Sequence, residues 1–334
     1  MHRKIALLGV VLATALSAQS PDPWHDPSPH QITFVEVEPG VHIEVLDWGG
    51  TGRTIVLLAG SGNTAHVFDD FAPKLTSTYH VYGFTRRGFG ASTHADTGYT
   101  DRRLTDDVFQ VIDLLHLDKP VLAGHSMAGS ELTTVVSQHP DRVAGLVYLD
   151  AGSDPADFPA SNPEYMALFQ KLPAGARTPP RPTAADRKTF QAYRDWQARN
   201  GDEVFPEAEL RATIDAKPDG SMGSRTASAA YSAIDKGTIK RDYSKIRVPV
   251  LAIFAGLLPV DDPRQKYQPK DDSERAAMEA FRAATDAYIK KYERALRAIP
   301  GARVVELAGA KHYIFLSNEE EVLNQMRAFL ASLR

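Results

Sequence analysis

The chain has 334 residues, of which 43% are hydrophobic and 24% charged, and its formal net charge is −4. This length can bury a substantial core, either as one large domain or as a domain with an insertion. The small negative charge, without any run rich in Lys or Arg, excludes nucleic acid as an expected partner. The chain contains no Cys, which excludes disulfides, thiol catalysis and Cys-based metal sites.

Residues 1–19 are typical of a signal peptide. A basic start at residues 2–4 precedes an apolar run from Ile5 to Leu16, and small residues follow this run. The run is too short for a comfortable membrane span, so an uncleaved anchor is the less favoured alternative. We therefore expect a secreted or periplasmic protein without stable membrane association.

Short apolar runs predict strands along the chain, and amphipathic segments predict helices between them. The strand-like runs are residues 32–35, 41–45, 54–58, 80–84, 121–123, 143–149, 248–254 and 303–307. The helical segments are residues 105–115, 127–138, 271–297 and 319–333. The later strands are almost continuously apolar, as in parallel strands covered on both faces. This alternation predicts an α/β fold with a mostly parallel central sheet flanked by helices.

Residues 154–244 break this alternation. They contain the Pro-rich stretch 178–182 and the amphipathic segment 187–198, without a strong strand pattern. We predict a helical cap over residues 154–244, inserted into a core formed by residues 30–153 and 245–334.

The segment 119–130, KPVLAGHSMAGS, places Ser126 between a predicted strand and a predicted helix. This is the context of a nucleophile elbow, a sharp turn that projects a hydroxyl above the carboxyl edge of a sheet. Ala128 replaces the last glycine of G-x-S-x-G and is small enough for close packing. The alternative is a serine that merely caps the helix. We expect Ser126 to be a nucleophile and the Met127 amide to donate to an oxyanion.

A serine nucleophile needs a base, and the base needs an acid that orients it. His312 follows the last predicted strand, and its loop should lie at the same sheet edge as Ser126. Asp150 ends the strand at residues 143–149, whereas Asp261 follows the strand at residues 248–254. Both loops open onto this edge, so the residues alone leave the acid undecided.

The glycine-rich segment Gly60-Ser61-Gly62 follows another strand and can present backbone N–H groups. The Ser61 amide is the expected second oxyanion donor. A phosphate-binding loop is not supported, because G-x-x-x-x-G-K-[ST] is absent. Without His-Glu-x-x-His or a carboxylate-rich calcium loop, we expect no metal and no cofactor. The turn at residues 86–92 is expected to be structural.

Together, these segments resemble the α/β-hydrolase superfamily. The similarity rests on the Ser126 elbow, the Gly60-Ser61 loop, the turn at residues 87–92 and the late His312, and it extends over about residues 32–334. It implies a capped fold of the serine hydrolase type.

The resemblance also bears on the acid. The usual family position, about three residues after the glycine that ends the seventh strand of the sheet, is Pro259 in this chain and cannot serve. Some members, including certain haloalkane dehalogenases, carry the acid at the end of the preceding strand. Asp150 matches that placement, so the resemblance favours Asp150 over Asp261.

The expected function is hydrolysis of a small-molecule carboxylic ester or lactone outside the cytoplasm, through a Ser-His-Asp triad and an acyl-enzyme. Epoxide hydrolases and dehalogenases of the superfamily use a carboxylate nucleophile, which Ser126 argues against. Two alternatives stay open. One is a cofactor-free C–C hydrolase or perhydrolase on the same fold, and the other is a non-catalytic ligand-binding module.

Overall fold

A computed structural model describes residues 24–154, 162–178, 180–226, 228–237 and 239–333. The signal peptide predicted at residues 1–19 lies outside these ranges, as do residues 155–161 of the predicted cap. Of the helices in the described ranges, none combines the length and the apolar character needed to cross a bilayer.

The strands form one large sheet and one small hairpin. They are β1 (Gln31–Glu38), β2 (Val41–Gly49), β3 (Thr54–Leu58), β4 (His80–Thr85), β5 (Val121–His125), β6 (Gly145–Leu149), β7 (Ile214–Ala216), β8 (Met222–Arg225), β9 (Val250–Gly256) and β10 (Arg303–Ala308). The large sheet has the order β1-β2-β4-β3-β5-β6-β9-β10. The β1–β2 and β2–β4 pairs are antiparallel, and all later neighbours are parallel. The predicted α/β fold with a mostly parallel sheet is confirmed.

Helices cover both faces of this sheet. They are α1 (Asp101–Leu114), α2 (Gly129–Gln138), α3 (Pro163–Lys171), α4 (Ala174–Arg177), α5 (Phe190–Arg199), α6 (Glu207–Thr213), α7 (Ala230–Gly237), α8 (Asp272–Arg297), α9 (Ile314–Ser317) and α10 (Glu319–Ser332). Side chains of β5 alternate between the two apolar clusters, because successive strand residues point to opposite faces. Leu122 joins the cluster under α1, α2 and α8, whereas Val121 and Ala123 join the cluster under α10.

The segment between β6 and β9 contains α3 to α7 and also the antiparallel β7–β8 hairpin. This hairpin corrects the expectation of purely helical structure there. Its strands are only three and four residues long and lack apolar alternation, so their sequence carried no strand pattern. Tertiary contacts hold it: Met222 is buried against Phe190 and Leu210, and its N–H donates to the Arg187 carbonyl over 3.0 Å.

A buried ion pair ties the turn after β4 to α2. The Arg86 guanidinium donates to both carboxylate oxygens of Glu131, over 2.7 and 2.5 Å, and both side chains are almost fully buried. The same guanidinium donates to the carbonyls of Ala59 and Gly60, over 3.0 and 3.4 Å. Arg86 therefore supports the loop after β3 from below, which agrees with the structural role expected for its turn.

Replacement of Arg86 by Met should destabilise the fold strongly. The substitution leaves the Glu131 carboxylate buried without its partner, which costs about 3–5 kcal/mol of the free energy of unfolding. Urea unfolding followed by circular dichroism measures this loss. The matched control is Arg142→Met, which breaks an exposed pair with Asp113 and should cost less than about 1 kcal/mol. Equal losses in the two variants would contradict the account.

Candidate active site

Ser126 stands on a sharp turn at the carboxyl end of β5. Its φ of +53° lies in the left-handed region, which is uncommon for residues other than glycine and is concentrated at functional sites. Small residues on either side leave room for this turn. If Gly124 carried a Cβ, that atom would stand only 3.0 Å from the Ala128 Cβ, which is too close for an ordinary contact. A Cβ on Gly129 would stand only 2.0 Å from the Ala151 carbonyl oxygen. Helix α2 can therefore pack directly against β5 and against the loop after β6.

The structure brings Ser126, His312 and Asp150 into one hydrogen-bonded chain. The Nε2 atom of His312 lies 2.9 Å from the Ser126 Oγ, and its Nδ1 lies 2.7 Å from the Asp150 Oδ2. The geometry suits the tautomer in which Nδ1–H donates to the carboxylate and Nε2 accepts the serine proton. The imidazole is half exposed and so can be reached from solvent.

Asp150 is itself held in place by the sheet. Its backbone has a φ of +47°, and its N–H donates to the Ile253 carbonyl over 2.8 Å. The second carboxylate oxygen, Oδ1, accepts the Ala255 N–H over 3.0 Å. The alternative acid, Asp261, is instead an exposed partner of Arg275 on α8. Of the two predicted candidates, Asp150 is the one whose carboxylate contacts His312.

His125 supports the base, a contact that the sequence analysis did not predict. Its side chain is fully buried, and its Nε2–H donates to the His312 carbonyl oxygen over 3.1 Å. Its ring centroid lies 4.6 Å from those of both His312 and Tyr313. Burial lowers the pKa of His125 well below its ordinary value, so this imidazole is neutral at physiological pH.

The two predicted oxyanion donors belong to segments that meet at Ser126. A Cβ on Gly60 would stand 3.1 Å from the Ser126 Cβ and 2.7 Å from the His125 Nδ1, so only glycine allows this approach. Ser61 follows Gly60 directly, and Met127 is the second residue of the short 3₁₀ helix Ser126–Ala128. The first N–H groups of a helix have no acceptor within that helix. Both amides are therefore carried to the neighbourhood of the serine hydroxyl.

Glu209 connects α6, in the segment between β6 and β9, to the loop after β3. Its Oε1 accepts the Asn63 side-chain amide over 2.8 Å. Its Oε2 accepts the Thr64 hydroxyl over 2.5 Å and the Thr64 N–H over 3.1 Å. Asn63 also accepts the Tyr313 hydroxyl over 2.9 Å. The loop after β3, the loop that carries His312 and α6 are thus joined, and burial raises the pKa of Glu209 to about 7.

A cavity of about 890 Å³ adjoins the loop that carries the base. Gly309 to Lys311, directly before His312, form part of its wall, and so do Gly256 and Leu257 at the end of β9, the strand whose backbone is hydrogen-bonded to Asp150. Apolar side chains from α8 and the loop before it contribute Leu258, Met278 and Phe281. Among the described residues that line the cavity, five are basic and none is acidic; the basic ones are Arg199, Arg264, Lys266, Arg282 and Lys311.

Residues 55–325 match the model of a family described as the alpha/beta hydrolase family. The chain belongs to the α/β-hydrolase family. This confirms the resemblance that the elbow, the glycine-rich loop and the late histidine indicated.

Curated relatives of this family member are enzymes of several chemistries. The 2-(acetamidomethylene)succinate hydrolase of Mesorhizobium japonicum is 24% identical over 84% of this chain and 89% of its own length. The fluoroacetate dehalogenase of a Burkholderia species is 25% identical over 52% of this chain and 51% of its own. Four other relatives are matched over only 38% to 61% of their length.

Solved structures share the fold at low identity. An E-2-(acetamidomethylene)succinate hydrolase superimposes with a TM-score of 0.65 and 18% identity, over 91% of this chain and 100% of its own. A thermophilic esterase from Thermogutta terrifontis superimposes with a TM-score of 0.57 and 20% identity, over 90% of this chain and 98% of its own.

Glu209→Gln should change how stability depends on pH. The folded state raises the pKa of Glu209 from 4.5 to about 7, so it binds this proton more tightly than the unfolded chain does. The stabilisation is present below about pH 4.5 and is lost as the pH rises through about 7, by roughly 3 kcal/mol at most. In urea unfolding, the free energy of unfolding should fall less between about pH 5 and about pH 8 in the variant than in the wild type.

The matched control is Glu207→Gln on the same helix, where the carboxylate pairs with Arg211 near the surface. This variant should keep the pH dependence of the wild type. If the free energy of unfolding depended on pH in the same way in the wild type and in Glu209→Gln, the role assigned to the buried carboxylate would be contradicted.

Proposed function

We propose that this α/β-hydrolase family member is a serine hydrolase that cleaves carboxylic esters or lactones through an acyl-enzyme. The observation that carries this proposal is the continuous hydrogen-bonded chain from Ser126 through His312 to Asp150. A serine hydroxyl, a base that can take its proton and an acid that orients the base are the parts that acyl transfer needs. The hydrolase family to which the chain belongs and the hydrolases among its relatives support hydrolysis as the reaction class.

In the proposed reaction, the Ser126 Oγ attacks the ester carbonyl carbon while the His312 Nε2 takes the hydroxyl proton. The carbonyl π electrons move onto oxygen, and the Ser61 and Met127 amides donate to the resulting oxyanion. Collapse of the tetrahedral intermediate expels the alcohol, which receives its proton from His312. Water, deprotonated by His312, then attacks the acyl carbon; the bond between this carbon and the Ser126 Oγ breaks, and His312 returns the proton to Ser126 as the carboxylic acid leaves. Asp150 keeps the imidazole oriented and stabilises its cationic form in both halves.

The cavity beside the His312 loop is the proposed substrate site. It is large enough for a small molecule, and its lining combines apolar side chains with polar and basic ones. Its basic lining favours substrates that carry a carboxylate remote from the scissile ester. Several of these bases already have partners, such as Arg264 with Asp262, so the preference should be moderate.

The alternative of C–C cleavage or perhydrolysis uses the same serine, base and acid, so substrate trials separate it from ester hydrolysis. Vinylogous diketones test C–C cleavage, and peracid formation from acetate and hydrogen peroxide tests perhydrolysis.

We also propose that the protein acts after export, on the basis of the signal-peptide pattern at residues 1–19.

Asp150→Asn should lower kcat for p-nitrophenyl acetate by up to about 10⁴-fold, because an amide favours the wrong imidazole tautomer. Asp261→Asn is the matched control and should stay within about twofold of the wild type, since Asp261 pairs with Arg275 and not with His312. Steady-state kinetics on both variants, with folding checked by circular dichroism, gives the comparison. The reverse order of losses would reject Asp150 as the acid.

Mono-p-nitrophenyl glutarate should be hydrolysed with a higher kcat/KM than p-nitrophenyl valerate, which lacks the remote carboxylate. One charge-assisted hydrogen bond from the cavity would give a preference of about tenfold. Arg282→Met should reduce this preference, because Arg282 lines the cavity. Arg142→Met, which does not line it, should leave the ratio unchanged. An equal kcat/KM for both esters in the wild type would contradict an anionic substrate class.

A further inference from the structure

A second cluster of chemically competent side chains lies where the segment before β1 meets the core. Asp26 and His30 belong to that segment, whereas His66 and Asp69 lie in and directly after the short 3₁₀ helix at Ala65–Phe68. One donor atom from each of the four residues lies within 4.8 Å of all the others. None of these residues belongs to the proposed catalytic chain.

The separations within the cluster suit a tetrahedral metal ion. The His66 Nδ1 lies 2.9 Å from an Asp69 oxygen and 3.4 Å from an Asp26 oxygen. The His30 Nδ1 lies 3.0 Å from the other Asp69 oxygen, and its Nε2 lies 3.7 Å from Asp26. Ligands placed about 2.0–2.1 Å from a tetrahedral zinc ion stand about 3.3 Å apart. These pairs include both nitrogens of His30 and both oxygens of Asp69; when one donor atom is taken from each residue, all separations lie within 4.8 Å, so a bound ion would draw the donors together by up to about 1.5 Å.

The hydrogen bonding of the cluster is incomplete, although three of its four side chains are largely buried and only Asp26 is partly exposed. The side chains of His30 and Asp69 are each only 3% exposed. The His30 Nδ1 and the Asp69 Oδ1 lie 3.0 Å apart as an ion pair that is not aligned as a hydrogen bond, and neither atom has another hydrogen-bond partner among the described residues. Buried polar atoms normally have partners, because an unmet one costs free energy. A cation between these atoms would satisfy both.

The surroundings add a group that would support such an ion. The far nitrogen of His66, Nε2, faces the buried carboxylate of Glu44 at 3.7 Å. A carboxylate behind a ligating imidazole fixes the ring and raises its basicity, an arrangement common around bound zinc. With Glu44, three carboxylates surround two histidines, so the buried cluster carries an excess of negative charge when the imidazoles are neutral.

We propose that Asp26, His30, His66 and Asp69 bind one Zn²⁺ ion, with Glu44 orienting His66. Imidazole and carboxylate ligands in a four-coordinate arrangement are those that zinc accepts, and four protein ligands describe a structural site. The ion would fasten the segment before β1 to the helix after β3. The site escaped the sequence motifs because its ligands come from two segments about 40 residues apart.

Isothermal titration with ZnCl₂ tests this proposal on the purified protein after removal of metals by a chelator. The wild type should bind one Zn²⁺ per chain with a Kd below about 1 μM, and its melting temperature should rise on binding. His30→Gln and Asp69→Asn should each weaken binding by at least about 100-fold, and Glu44→Gln by about 10- to 100-fold. The control is His80→Gln, which removes a half-exposed histidine paired with Asp47 and should bind like the wild type.

Co²⁺ binding to the wild type provides a readout that needs no variant to fold. A four-coordinate site should give the strong visible absorption of tetrahedral Co²⁺, and Zn²⁺ should displace it. Absence of a one-to-one Zn²⁺ site in the wild type would overturn the proposal. Equal loss of binding in His80→Gln, or unchanged binding in a folded His30→Gln, would overturn it as well.

Discussion

The left-handed turn at Ser126 is the constraint on which the rest of the site depends. A non-glycine residue with a φ of +53° is held in place only when the structure around it leaves no alternative. Three glycines allow the close contacts that restrain it. Gly60 lies against Ser126 and His125, and Gly124 packs against Ala128. Gly129 packs against the Ala151 carbonyl in the loop after β6. Each contact removes space for a side chain, and together they bring the ends of β3, β5 and β6 within reach of one hydroxyl.

A second layer of buried polar groups keeps the neighbouring loops aligned with this turn. Arg86 and Glu131 hold the backbone of the loop after β3 from below, and Glu209 holds its next residues from above. His125 donates to the His312 carbonyl, so the residue beside the serine also positions the base. The site is therefore coupled to the segment between β6 and β9 through hydrogen bonds that are shielded from water.

Local patterns were sufficient to predict the sheet, the Ser126 elbow and the loop position of His312, because each is encoded within about ten consecutive residues. Local patterns could not decide which aspartate orients His312, because Asp150 and Asp261 both follow strands. The contact between Asp150 and His312 at the sheet edge distinguishes the two, and it joins residues far apart in the chain. The β7–β8 hairpin, the Glu209 contacts and the cluster around His66 depend on residues distant in the chain. A single sequence carries no periodic signal for such contacts.

Intact-mass spectrometry after exposure to a fluorophosphonate tests the central claim, that Ser126 is a nucleophile activated by His312, most directly. The wild type should gain one adduct, Ser126→Ala should gain none, and His312→Ala should react far more slowly. The same spectrum of exported protein would report where its N-terminus lies. A folded wild type that gains no adduct, or an adduct that persists in Ser126→Ala, would contradict the account and favour a ligand-binding module instead.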